Sequence, residues 1–326
     1  MNVAILGAGA WGTALAVALA RHHRVSLCAR RPAEAARMRA TRANGYLPGI
    51  ALPESIALPD DASDALRDCE LVLAATPTAG LRDALAKLPG NPEGRALLWA
   101  CKGFEPETTR LPHEIAEEAL PAWHEAGALS GPSFALEVAR GLPAALAIAS
   151  RDAAFAQRAA AALHHAPLRI YSSVDLVGVE MGGALKNIMA IAAGVSDGLG
   201  LGANARAALV TRGLAEMARL GVRMGGEPDT FMGLTGLGDL VLTATGELSR
   251  NRAVGVRVAG GVPVERILAE LGHVAEGVSS ARAARALARR HGVDMPITEA
   301  VCAVLFEGLA PMTAVQGLLS REARAE

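Results

Sequence analysis

Gly7-Ala8-Gly9-Ala10-Trp11-Gly12 follows the apolar run Val3-Ala4-Ile5-Leu6 and opens a helical pattern running from Thr13 to Arg21. The order reads as buried strand, tight turn and helix. In a βαβ unit that holds a dinucleotide, the first glycine permits the turn and the second lets backbone approach a pyrophosphate. The third lets the helix pack on the strand. The anion then rests on free N–H groups at the helix N-terminus. A purely structural glycine turn needs neither the flanking strand nor the helix, so Gly7, Gly9 and Gly12, with Ala10 in the turn, are the first cofactor candidates.

Composition supports a globule built around that unit. The chain has 326 residues, 51% hydrophobic and 20% charged, enough for two domains with sizeable cores. A formal net charge of −1 gives no electrostatic footprint for nucleic acid or an anionic membrane. Cys28, Cys69, Cys101 and Cys302 lie far apart and show no C-x-x-C spacing, which fits reduced thiols in a cytoplasmic protein and argues against a metal site. The apolar stretch from Val3 to Ala20 imitates a signal peptide but lacks a basic leader. Elsewhere Lys, Arg or Asp interrupts each apolar stretch before the roughly 18 to 20 residues that a membrane helix needs, so no membrane insertion is expected.

The first half alternates strand and helix, the mark of a parallel sheet with crossovers. Arg24-Val25-Ser26-Leu27-Cys28-Ala29 reads as the second strand, and Arg30-Arg31-Pro32 stands where a βαβ unit places its ribose-recognising residue. Two arginines without a carboxylate suit a ribose 2′-phosphate, and hence NADPH, with NADH as the second cofactor; a solvated cap on the strand end is the plainer reading. A helix to about Arg42 leads to Asn44-Gly45-Tyr46-Leu47-Pro48-Gly49, a turn that places Tyr46 near the cofactor, and then to a small strand near Ser55-Ile56-Ala57-Leu58. Leu71-Val72-Leu73-Ala74-Ala75 and Ala96-Leu97-Leu98-Trp99-Ala100 are further buried strands. The latter ends on Cys101-Lys102-Gly103, beyond a carboxyl end, where Lys102 meets substrate or nicotinamide unless it is only a solvated charge. In Leu129-Ser130-Gly131-Pro132-Ser133-Phe134-Ala135 the pattern of strand, glycine turn and helix repeats, with Ser133 as the expected N-cap. Ala144 to Ser150 and Leu168 to Tyr171 are the expected last strands, and His164-His165 ends the helix between them.

From about Val174 strand signals stop and helical periodicity continues to the chain end. The expected organisation is α/β: a Rossmann doubly wound sheet over residues 1–173 and an all-helical domain over 174–326, whose last residues fray. The helix around Glu180 to Ala192 is apolar except for Lys186, which either snorkels to solvent or is buried for chemistry. Gly233-Leu234-Thr235-Gly236-Leu237-Gly238-Asp239 carries more glycine than a plain bundle requires, so backbone comes close to something there. Ser249-Arg250-Asn251 joins hydroxyl, guanidinium and amide in a string that suits a phosphate, or else simply starts a helix.

Together these strings, with Val274-Ala275-Glu276-Gly277 and Met295-Pro296-Ile297-Thr298-Glu299, resemble bacterial NAD(P)-dependent glycerol-3-phosphate dehydrogenases over nearly the whole chain. The resemblance implies a cytoplasmic enzyme that reversibly transfers hydride between NAD(P)H and dihydroxyacetone phosphate, giving sn-glycerol 3-phosphate for phospholipid synthesis. It implies Lys186 as the proton donor and acceptor, oriented by Asp239 and supported by Lys102. Gly131, Ser133, Ser249, Arg250 and Asn251 then surround the substrate, together with these three. By the same resemblance Trp11, Arg30, Lys102, Ala135, Arg250, Val274 and Glu276 line the dinucleotide, and the reading of the residues adds Arg31 and Tyr46 to them. A homodimer is left open. Ala10 stands where the family often has serine, and Thr76-Pro77-Thr78-Ala79 departs from the form expected beside the nicotinamide. Two other readings are a ketopantoate-reductase-like enzyme, whose carboxylate substrate does not need Ser249-Arg250-Asn251, and a non-catalytic NADP-binding regulator, which would not need both Lys186 and Asp239.

Overall fold

The computed structural model describes residues 1–271 and 275–321, so Val274 lies outside the described residues, as does the tail beyond Arg321. The chain divides into two compact units: residues 1–102 with 110–176, and 103–109 with 177–326. The sequence places the junction at 173/174. Contacts place it at 176/177, inside the first turn of a long helix, and assign the short stretch after Lys102 to the second unit.

The first unit runs β1 (Asn2–Leu6), α1 (Ala10–Leu19), β2 (Arg24–Cys28), α2 (Pro32–Thr41), α3 (Ala62–Arg67), β3 (Leu71–Ala74), α4 (Leu81–Leu85), β4 (Ala96–Trp99), α5 (Pro112–Ala119), β5 (Ala126–Ser130), α6 (Ala135–Ala139), β6 (Ala144–Ala149), α7 (Ala153–Leu163) and β7 (Leu168–Ser173). Its seven strands lie in the order β2-β1-β3-β4-β5-β6-β7. β1, β3 and β4 are buried along almost their whole length, which is why they read as unbroken apolar runs rather than alternating ones. Val3 pairs with Val25 on one side and Leu71 on the other, so the strand order switches beside β1, and the glycine turn leaves from the carboxyl end of that strand.

Three details differ from the sequence reading. The sheet is not wholly parallel, because β6 runs antiparallel to β5, pairing Leu129 with Ile148. Between them residues 131–143 form only the five-residue α6, which packs on α1, and the chain re-enters the sheet beside β5 in the opposite sense. The expected strand near Ser55 is a single bridge from Ala57 to Ser26, cut short by Pro53 and Pro59, which donate no ladder hydrogen bond. Ser133 does not cap α6. Phe134 occupies that position without a side-chain bond, while the Ser133 hydroxyl donates to the Gly131 carbonyl at 3.0 Å.

The second unit contains α8 (Leu176–Gly198), α9 (Gly202–Arg223), α10 (Pro228–Met232), α11 (Asp239–Thr245), α12 (Arg250–Ala259), α13 (Val264–Leu271), α14 (Glu276–His291), α15 (Pro296–Phe306) and α16 (Pro311–Leu319). A π turn over Leu234–Gly238 leads into α11. α8 corrects the expectation about interrupted apolar stretches, since its 23 residues are long and apolar enough to cross a membrane. Nearly all of that window is buried inside the protein, so the helix is the core of the unit.

Candidate active site

Each fingerprint glycine has its own steric cause. Gly7 has φ +112°, and a Cβ there would stand 2.8 Å from the Ala75 carbonyl oxygen. A Cβ on Gly12 would stand 2.0 Å from the Gly7 carbonyl oxygen, so α1 packs on β1 only without a side chain. A Cβ on Gly9 would meet nothing within 4 Å, although Gly9 is the N-cap of α1. That open approach to the amides of a helix start fits a pyrophosphate. Two orphaned buried polar atoms flank the same turn: Trp11 Nε1 in the first turn of α1, and Thr76 Oγ1 just past β3. Ala10, Trp11 and Ala135 meet in one apolar cluster where α6 packs on α1. The residues present therefore fit a dinucleotide.

Asn44 was not singled out by sequence reasoning, yet it fastens this turn. Buried to 3%, its amide donates to the Ala8 carbonyl at 2.8 Å and to Thr13 Oγ1 at 2.7 Å, and its carbonyl accepts the Tyr46 N–H. The signal available was its place in an Asn-Gly turn, which identifies a turn but not its target.

Past β2 the two arginines separate. Arg31 bonds to the Glu34 carboxylate three residues on, and lies 3.3 Å from the Tyr46 hydroxyl. This bond holds the Glu34 carboxyl below the usual carboxylate range. A carboxylate thus stands beside the arginines that follow β2, supplied from α2. Arg30 is exposed and has no hydrogen bond or ion pair among the described residues. Beyond β4, the Lys102 ammonium donates to the Gly131 carbonyl at 3.0 Å, the oxygen that also accepts from Ser133. Lys102, Gly131 and Ser133 therefore form one group.

In the second unit Lys186 sits midway along α8 with its side chain 8% exposed, and it pairs with Asp239, whose side chain is 1% exposed. Lys186 also donates to Thr243 Oγ1 at 3.0 Å, and Thr243 in turn donates to the Asp239 backbone carbonyl at 2.6 Å. Lys186 does not snorkel: its charge is buried and compensated, the only economical way to keep it there. A glycine on α8 explains the placement. A Cβ on Gly182 would stand 2.4 Å from the Thr235 carbonyl oxygen, so the π turn rests directly on α8 and delivers Asp239 at the start of α11. Thr243, one turn further along α11, is the member of this group that sequence reasoning did not single out.

Ser249, Arg250 and Asn251 open α12, and only some of their polar groups remain uncommitted. Ser249 is the N-cap, its Oγ accepting the Arg252 N–H at 3.2 Å. Asn251 donates to Asn187 Oδ1 at 2.9 Å and accepts the Gly277 N–H at 3.0 Å, joining α8, α12 and the start of α14. One N–H of its amide is left for a ligand. Arg250 is exposed with no bonded partner among the described residues. Glu276 is the first residue of α14.

Two family models cover the chain, described as the N-terminus of NAD-dependent glycerol-3-phosphate dehydrogenase over residues 2–156 and its C-terminus over residues 175–316. A glycerol-3-phosphate dehydrogenase [NAD(P)+] of Thiobacillus denitrificans is 59% identical over the full length of both chains. One from Ralstonia nicotianae is 57% identical over 100% of this chain and 99% of its own. The crystal structure of glycerol-3-phosphate dehydrogenase from Coxiella burnetii superposes with a TM-score of 0.92 at 40% identity, covering 98% of each chain. The glycine turn on β1 and the buried Lys186–Asp239 pair thus sit in a chain that belongs to the NAD-dependent glycerol-3-phosphate dehydrogenase family.

Proposed function

We propose that this chain catalyses reversible hydride transfer between NAD(P)H and the ketone carbon of dihydroxyacetone phosphate, giving sn-glycerol 3-phosphate. The observation that carries the reading is the buried Lys186 ammonium fixed between Asp239 and Thr243 on an otherwise apolar helix. A cation is kept there at a desolvation cost that structure alone does not require.

The hydride comes from the reduced nicotinamide when it is bound. The amides at the start of α1 hold its pyrophosphate, with Gly9 leaving the approach open. Arg30 offers a charge to a ribose 2′-phosphate, which favours NADPH, while Glu34 beside Arg31 keeps NADH usable. Ala135, Val274 and Glu276 complete the set that the family pattern gives, and Tyr46 joins it through its place beside Arg31. As the carbonyl is reduced, negative charge grows on its oxygen. Lys186 Nζ stabilises that charge and then delivers a proton to it, and in the reverse direction takes the proton from the alcohol. Asp239 and Thr243 accept from Nζ and hold it in one orientation. Arg250 and the spare Asn251 N–H bind the phosphate with Ser249. Lys102, Gly131 and Ser133 belong to the substrate set by the same pattern.

The test is turnover of NADPH with dihydroxyacetone phosphate beside a ketopantoate control, for the unaltered protein and for Lys186→Met, which keeps the stem's packing. Lys186→Met should cost at least about two decades in kcat while NADPH binding persists, the usual scale for a positioned acid or base. Near-normal turnover in the variant removes Lys186 from the role. Preferential reduction of ketopantoate overturns the substrate, and no turnover of either favours a regulator.

A further inference from the structure

The second unit holds a cavity of about 440 Å³ that the proposed reaction does not use. Its walls come from α8, α9, α15 and α16, with Ile191, Val195, Leu209, Val301, Leu305 and Leu318 among them. The volume lies within the roughly 300 to 1,000 Å³ of small-molecule sites. Among the described residues every apolar lining side chain is aliphatic. A planar ring entering here would find no stacking partner. A flexible alkyl chain would exchange water for aliphatic contact along its length.

The polar groups of the lining point to the rest of the ligand. Most are already engaged. Arg219 donates to the Asp294 carbonyl at 3.0 Å, Arg321 pairs with the Asp294 carboxylate at 2.7 Å, and Glu216 accepts the Ile297 and Thr298 N–H groups at 2.6 and 3.2 Å. Two are not. Arg212 lines the cavity from an exposed position, so it stands at the rim, with no ion pair or hydrogen bond among the described residues. Ser196 is 3% exposed, and its buried Oγ has no partner. An uncompensated cation at the mouth and an aliphatic depth describe a long molecule with one anionic end.

We propose that this cavity binds an amphipathic monoanion with a straight alkyl chain, of the fatty-acid carboxylate class. Its head lies on Arg212 and its chain lies among the aliphatic side chains of α8, α9, α15 and α16. Ser196 lies ten positions beyond Lys186 on α8, or about 15 Å along the helix, so this is a second site. It does not depend on which reaction the chain catalyses.

The probe is dodecanoate below its micelle concentration, titrated calorimetrically into the full chain, with dodecyltrimethylammonium as the cation of equal chain length. Dodecanoate should bind saturably at one site and the cation should not. Arg212→Met should weaken binding about tenfold, the size of one charge-assisted bond near solvent. Ala208→Trp on the exposed side of α9 and Ala300→Trp on α15 should each block it, with circular dichroism melts showing that they fold. A photoreactive dodecanoate analogue, which needs no variant, should label peptides from residues 191–219 and 294–321. No saturable heat, equal binding of the cation, or labelling confined to other peptides overturns the proposal. So does a sedimentation result in which a dimer gives way to monomer in Ala208→Trp while dodecanoate fails to bind, since a second copy then covers the cavity.

Discussion

Gly9 and Gly12 differ by three positions in the same turn, and alanine at each should fail in opposite ways. At Gly12 the new methyl carbon would lie 2.0 Å from the Gly7 carbonyl oxygen and 3.1 Å from Ala75 Cβ. The first of these is backbone, pinned by the Gly7 N–H bond to the Cys28 carbonyl at 3.0 Å, so the clash cannot be relieved by a rotamer change. Overpacking of this kind costs about 1 to 3 kcal/mol or more. For the first unit, residues 1–102 with 110–176, that lowers Tm by about 2 °C to 12 °C. At Gly9 the methyl enters open space, and the backbone there, φ −74° and ψ −176°, is one that any residue adopts. Exchanging an N-cap glycine for alanine costs about 1 kcal/mol or less, so Tm should move by no more than about 4 °C. The same methyl occupies the path by which a pyrophosphate reaches the α1 amides, and NADPH affinity should fall at least about tenfold, the loss of roughly 1.4 kcal/mol. Thermal melts without ligand and NADPH fluorescence titrations read the two effects separately. The reasoning fails if Gly9→Ala binds NADPH as the unaltered protein does, or if Gly12→Ala melts with it.

Three further outcomes are expected. Arg30→Asp should lower kcat/KM with NADPH and spare or raise it with NADH; a variant whose cofactor ratio is unchanged would remove Arg30 from 2′-phosphate recognition. Arg250→Ala should raise KM for dihydroxyacetone phosphate by roughly one to two decades with an unchanged melt, and a normal KM would move the phosphate elsewhere. Burial pushes the Glu216 carboxyl from 4.5 up to about 7, against hydrogen bonds from Ile297 and Thr298 and the charge of Arg219, which pull the other way. The folded state therefore holds this proton more tightly than the unfolded chain. The resulting stability is present below about pH 4.5 and is lost as pH rises to 7, with a total on the order of 3 kcal/mol. Relative to the unaltered protein, Glu216→Gln should gain in Tm between pH 5 and pH 8; parallel curves would refute the shift.

The glycine turn is legible because its glycines are contiguous with the strand and helix they join, even though the carbonyl that Gly7 must avoid comes from Ala75, past the end of β3. Lys186 was legible for a related reason, since one cation in an apolar helix is conspicuous without any partner in view. Its second acceptor, Thr243, was not, because a threonine at i+4 from Asp239 looks like any other helical threonine until α8 is packed against it. The chain past β2 is half legible. Arg30 and Arg31 stand adjacent in sequence, but the Glu34 carboxylate reaches Arg31 through a helical i,i+3 spacing that depends on α2 beginning at Pro32. The direction of β6 is not legible, because the connection over residues 131–143 is long enough for a parallel crossover and no composition signal marks it as a reversal. Asn251 was read for its chemistry, while two of its hydrogen-bonding groups are spent on Asn187 and Gly277, which lie 64 and 26 positions away in sequence.

The partition of the chain also limits what can be cut from it. Because residues 103–109 cluster with the second unit, the polypeptide passes from one unit to the other after Lys102, returns at Arg110, and leaves for good after Leu176. The two family models divide the sequence once, between residues 156 and 175. A gene cut in that interval would yield a second fragment without the stretch that belongs to it, and a first fragment carrying that stretch as an orphaned loop. The two halves are contiguous in sequence while the two compact units are not, so grafting the helical half onto a foreign nucleotide-binding half must carry residues 103–109 across as well.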